Sequence, residues 1–178
     1  MSILEILNDQ SAFGFTGKIN ILVKSNGQLY GTIYQEEGFI IDAATSGMTG
    51  VKALLRMIFI DVDQSDFLKY IVEPEVLGDE HRRMKMTYEN LKKDAEKHFQ
   101  SYLAAKKLRP PSHLKLVIDP EVIVDHSQIS PEEFDVLTLL SEWCLVSDIY
   151  KYSKLLEYEV TNALVTLRRK KAIRVFAN

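Results

Sequence analysis

The chain has 178 residues, 46% apolar and 26% charged, which suits one soluble domain or two small ones. No apolar run approaches the roughly 20 residues that cross a bilayer. The start Met1-Ser2-Ile3-Leu4-Glu5 lacks a signal peptide's basic opening and cleavage site, so a cytoplasmic protein without membrane insertion is expected. The net charge of −3 is uneven, with 5 basic and 10 acidic residues in 1–78, 7 and 5 in 79–106, and 10 and 10 in 107–178. That balance argues against a general binder of phosphate backbones.

Ile3, Leu4, Ile6 and Leu7 are spaced for one face of a short helix, with Ser2 as its N-cap. Phe15, Ile19, Ile21 and Val23 then fall at strand period. Asn26-Gly27 favours a type I′ turn, because both central residues of that turn need positive φ. Gln28 to Gln35 returns, Glu37-Gly38 turns again, and Phe39 to Ala43 makes a third antiparallel strand. Gly17, Gly31 and Gly38 are the expected structural turn residues. Thr49 is the expected cap of a short apolar helix carrying Val51, Ala53, Leu54, Leu55, Met57 and Ile58, packed across the sheet. Phe67 to Val72 reads as another strand, ended by Pro74.

From Asp79 to Leu108 no Gly or Pro occurs, and Met84, Tyr88, Leu91 and Ala95 recur at spacings of three and four. This predicts one long amphipathic helix of up to ~45 Å, terminated by Arg109-Pro110-Pro111. Its apolar stripe needs a cover, either the chain's own domains or a second copy in a homodimer.

Leu114, Leu116 and Ile118, then Val122 and Val124 beyond Pro120, suggest one or two short strands. Ser130-Pro131-Glu132-Glu133 is a capping box with proline at the first helical position. Phe134, Val136, Leu137, Leu139 and Leu140 are the expected core face of that helix. A second helix begins at Ser147-Asp148. A third runs from Tyr158 to Lys170 with Val160, Ala163, Leu164 and Leu167 inward, and Ala172 to Phe176 closes as a strand. The fold class is therefore α+β. Residues 1–75 form a small antiparallel-sheet domain, 76–112 a long linking helix, and 113–178 a winged-helix-like domain.

Gly17, then Gly31, Ile33, Tyr34, Gly38, Ile40 and Ala43, then Gly50, Ala53 and Leu54 form a pattern of turn glycines and core positions. On these residues the first 75 positions resemble the domain at the start of PatA-type bacterial response regulators. The resemblance implies a scaffold used in bacterial signal transduction, and it implies no catalytic residues. The chain departs from that context in showing no receiver domain.

Little in the sequence points to chemistry. His81, His98, His113 and His126 are scattered, without the spacing of a zinc site, and read as surface residues. Asp61, Asp63 and Asp66 resemble part of a calcium loop but lack its glycine and terminal glutamate, so they read as a solvated acidic loop. No phosphate-cradling glycine motif or nucleophile elbow is present. Cys144, alone, excludes an intramolecular disulfide; beside Trp143 in an apolar helical pattern it is expected to be buried.

No catalytic residue, metal or cofactor is expected. The leading expectation is a non-enzymatic signalling adaptor with a protein partner, binding through Tyr158, Asn162, Arg168, Arg169 and Lys170. The alternative is a DNA-binding regulator using residues 157–174. Acid at Glu157 and Glu159, where a recognition helix would meet the groove, makes specific DNA binding the weaker expectation. An enzyme or second-messenger receptor is the third and weakest.

Overall fold

The computed structural model describes residues 2–64, 66–119 and 129–176. Val122, Val124 and His126 lie outside the described residues. The chain divides into two compact units, Met1–Phe99 and Gln100–Asn178, and the fold is α+β.

In the first unit, α1 (Ile3–Ala12) begins with the expected cap. The Ser2 hydroxyl accepts from the Glu5 N–H, and the Glu5 carboxylate accepts from the Ser2 N–H, which satisfies donors that a helix start leaves orphaned. The strands are β1 (Gly17–Val23), β2 (Leu29–Glu36), β3 (Phe39–Thr45), β4 (Met48–Thr49) and β5 (Leu68–Pro74). They form one sheet in the order β4-β3-β2-β1-β5, each neighbouring pair antiparallel. Helix α2 (Gly50–Asp63) buries Ala53, Leu54, Leu55, Met57, Ile58 and Phe59.

The turn at Glu37-Gly38 is the expected one, with φ of 52° and 79°. Two other turn expectations change. Asn26 does not share Gly27's positive φ. The Gly27 N–H bonds to the Val23 carbonyl (2.8 Å), making a wider loop than a two-residue hairpin turn. Gly31 is no turn residue: it lies inside β2, between Ile21 and Thr45. A Cβ there would sit 2.5 Å from Met57 Sδ, so its missing side chain is what lets α2 lie close on the sheet. Gly17, also expected in a turn, is instead the first residue of β1, and it is required there because a Cβ would collide with the Glu73 carbonyl oxygen.

The long helix is shorter than its sequence pattern. Asp79–His81 is a single 3₁₀ turn, and α3 spans Tyr88–Lys106. Between them Met86 exchanges both backbone hydrogen bonds with Ile40 (2.9 Å each), and the Arg83 and Met84 N–H groups bond the Ile41 carbonyl. The free edge of β3 captures this stretch as an extended partner, so Met84 lies outside the helix. Leu91 and Ala95 are fully buried in the single chain, Tyr88 and Met84 half-buried, and Phe99 packs on Phe59 of α2 (5.9 Å between rings). Within the single chain, α2 therefore covers part of the stripe.

The second unit holds β6 (Leu116–Ile118), α4 (Pro131–Glu142), α5 (Val146–Tyr152), α6 (Glu157–Arg169) and β7 (Ile173–Val175). β6 and β7 pair antiparallel, and Lys115 bridges to Leu145. Three helices are closed by this two-stranded sheet. The core joins Leu116, Val136, Leu140, Ile149, Leu164 and Leu167. On α4 the inward positions are Glu133, Val136, Leu137 and Leu140, at helical spacing, whereas Phe134 is 64% exposed. Phe134, expected in the core from the apolar pattern, faces solvent, and Glu133 takes the inward position.

Candidate functional site

The expected partner-binding residues all lie on or beside α6. Its first turn carries Glu157 and Glu159; the Glu159 carboxylate accepts from the Leu156 N–H (2.8 Å), and Glu157 takes Arg109 (2.8 Å). Arg109 also stacks over the Tyr150 ring at 4.2 Å. Tyr158 and Asn162 line a groove of about 240 Å³ between α6 and the start of α4, with Ser130, Glu132, Glu133 and Thr166. Burial, with Glu159 adding to it, pushes the Tyr158 phenol up to about 12.

Lys170 does not reach outward from this helix. Its ammonium donates to both oxygens of the buried Glu133 (2.7 and 2.9 Å), and that carboxylate also holds the Ser130 N–H (2.9 Å). A carboxylate out of water needs such a partner. Lys170 is therefore structural, and the structure separates it from Arg168 and Arg169, which are exposed.

Sequence reasoning missed an aromatic feature at the other end of α4. The helix stops at Glu142, and Trp143 to Leu145 run extended because the Cys144 carbonyl accepts from the Leu116 N–H (2.7 Å) and Leu145 pairs with Lys115. This breaks the apolar helical pattern and turns Cys144 to solvent, against the expectation of a buried thiol. Trp143 stacks on Tyr152 of α5, with centroids 4.6 Å apart and planes 24° off parallel. Lys151 Nζ sits 4.9 Å from the centre of the Tyr152 ring. The two rings remain 38% and 43% exposed. The signal available in the sequence was Trp143 itself, adjacent to a helix boundary.

The first unit has a polar recess that sequence spacing could not reveal. Asp42 on β3 is fully buried; its Oδ1 accepts from the Gly50 N–H (3.3 Å) and its Oδ2 holds the Arg83 guanidinium. Asp42 thus does the capping expected of Thr49, whose side chain makes no cap bond. His81 stacks on Tyr34 (3.9 Å between centroids, 12° apart). It brings Nδ1 to 3.9 Å from Asp42 and Nε2 to 3.6 Å from Glu80. It is half-buried, not the surface residue expected. Lys18, Glu75, Glu80 and His81 line about 140 Å³ here. Lys18 pairs with Glu75 (2.8 Å), and that bond holds its ammonium above the ordinary lysine range. In this recess Lys18 is paired with Glu75 and Arg83 with Asp42.

Asp61 and Asp63 lie in the last turn of α2 and Asp66 just beyond it, and the three do not converge on a metal site. Asp61 ties α1 to α2 and β5 by accepting from the Ile3 N–H (2.7 Å) and the Tyr70 hydroxyl. Asp66 pairs with Lys24. Among the described residues no group of His, Cys, Asp and Glu forms a metal site, and no helix is long and apolar enough to cross a membrane. No family model, curated protein or solved structure matches the chain.

Proposed function

We propose that the chain is a non-enzymatic adaptor of a bacterial signalling pathway that works through protein–protein contacts. The observation that carries this reading is the exposed, mutually stacked pair Trp143–Tyr152. Stacking pre-orders two large amphipathic rings, so covering them costs little side-chain entropy. Trp and Tyr are also the residues that dominate binding energy at interfaces. The resemblance of residues 1–75 to the PatA-type domain points to the same class and to the cytoplasm.

DNA binding is the second reading, favoured by Arg168 and Arg169 standing exposed at the end of α6. The carboxylates of Glu157 and Glu159 on the first turn, with Glu132 across the groove, weigh against it, because they would face phosphates.

Capture from a lysate of the source cell tests the adaptor reading. A defined protein is expected to be retained by the wild type and lost by Trp143→Ala/Tyr152→Ala. Submicromolar, sequence-selective binding to duplex DNA at physiological salt, lost in Arg168→Ala/Arg169→Ala, would replace it with the second reading.

A further inference from the structure

β5 is the last strand of its sheet, seven residues long, with β1 on one side. Its ladder fixes which backbone groups are used. Lys24 N–H bonds the Phe67 carbonyl (2.9 Å), and the register pairs Lys69 with Leu22, Ile71 with Asn20 and Glu73 with Lys18. In an antiparallel ladder hydrogen-bonded pairs alternate, so Leu68, Tyr70 and Val72 aim their N–H and C=O groups at the open edge. Among the described residues no strand pairs there. Ile71 and Val72 are 44% and 37% exposed, and no proline interrupts the strand before its last residue. A seven-residue, partly apolar edge of this kind is a template for another strand.

We propose that this edge pairs with β5 of a second copy of the chain, antiparallel about a two-fold axis at Ile71. The sequence of the edge is self-complementary in that register alone. With Ile71 opposite its own copy, Lys69 stands opposite Glu73 of the second chain, and Glu73 opposite its Lys69. On the other face Tyr70 stands opposite Val72. Tyr70 and Val72 of each copy exchange N–H···O=C bonds. Opposite charges directly across a pair stabilise it, and like charges oppose it. An isologous interface needs a patch of this kind, complementary to itself. The inference does not rest on the adaptor reading, whose aromatic face lies in the other unit.

Sedimentation velocity of the full chain, up to about 100 µM to reach a micromolar association, gives the test. The wild type is expected to be a dimer. Val72→Pro removes only an outward N–H, which an edge strand tolerates, and is expected to be a folded monomer by circular dichroism. Lys69→Glu sets two carboxylates opposite each other, and Glu73→Lys sets two ammonium groups; each alone is expected to be monomeric. Mixed in equal amounts, the two variants are expected to form a heterodimer, since every pair is again of opposite charge. Where Glu73→Lys fails to fold, Val72→Pro and Lys69→Glu decide the matter. A monomeric wild type, a Val72→Pro dimer, or a dimeric Lys69→Glu would each overturn the proposal, as would folded single variants that do not associate when mixed.

Discussion

Replacing Gly38 with valine separates two costs that the structure assigns to one residue. Gly38 has φ of +79°, and a Cβ there would lie 2.6 Å from the Ser11 carbonyl oxygen and 3.3 Å from Ser11 Cα, at the end of α1. Gly47 has nearly the same φ, +75°, with nothing within 4 Å. Gly47→Val therefore reports the left-handed backbone alone, about 1–2 kcal/mol. Gly38→Val carries that cost and also displaces the Ser11 carbonyl, which accepts from the Gly14 N–H (3.2 Å). The loss of a backbone bond adds ~1 kcal/mol, for a total of about 3 kcal/mol with the backbone shift. At ~4–8 °C per kcal/mol for a domain of this size, Gly38→Val should lower the melting temperature of the first unit by roughly 12–24 °C, and Gly47→Val by about half as much. Thermal unfolding followed by circular dichroism measures both. Equal shifts would refute the contact with α1, and an unchanged melting temperature for Gly38→Val would refute the tight turn.

Lys170→Met should destabilise the second unit by about 3 kcal/mol, because it leaves Glu133 buried without its cation; urea unfolding should show Arg168→Ala, an exposed change, within ~0.5 kcal/mol of wild type. Arg83→Ala should cost the first unit a similar ~3 kcal/mol, by leaving the Asp42 carboxylate with the Gly50 N–H as its remaining hydrogen bond, and a wild-type unfolding midpoint would remove that ion pair from the account. The Tyr158 phenol is held protonated in the fold, its pKa raised from 10.0 to about 12. Its contribution to stability is therefore intact below pH 10 and lost as pH rises through 12, since the unfolded chain ionises first. Denaturant midpoints from pH 9 to 12 should fall less steeply in Tyr158→Phe than in wild type.

Local signals in the sequence carried to the structure where one turn or one helix end decides the outcome. Glu37-Gly38 and the Ser130 capping box are of this kind, because their hydrogen bonds close within a few residues. The signals misled where a distant segment competes. Met84 and Tyr88 keep helical spacing, yet the open edge of β3 binds residues 83–86 as extended chain. Cys144 sits in an apolar run, yet a hydrogen bond from Leu116 holds its backbone extended and exposes the thiol. Of the candidate site, the α6 residues were legible as a helix face, but the capture of Lys170 by Glu133 was not, because it depends on how α4 and α6 pack. The Asp42–Arg83–His81 cluster and the Trp143–Tyr152 stack likewise arise only from tertiary contacts, and no spacing rule reports them.

The sole cysteine of the chain stands beside Trp143 and is exposed, which allows a direct test of where the partner sits. A benzophenone maleimide on Cys144 places a photo-crosslinker on the proposed face. A probe on Cys144→Ser/Asn162→Cys places it on α6. Irradiation in a lysate of the source cell is expected to join a defined protein to the Cys144 probe, and the product is expected to disappear in Trp143→Ala/Tyr152→Ala. Crosslinking of nucleic acid to the probe at position 162, with no protein product at Cys144, would contradict the adaptor reading.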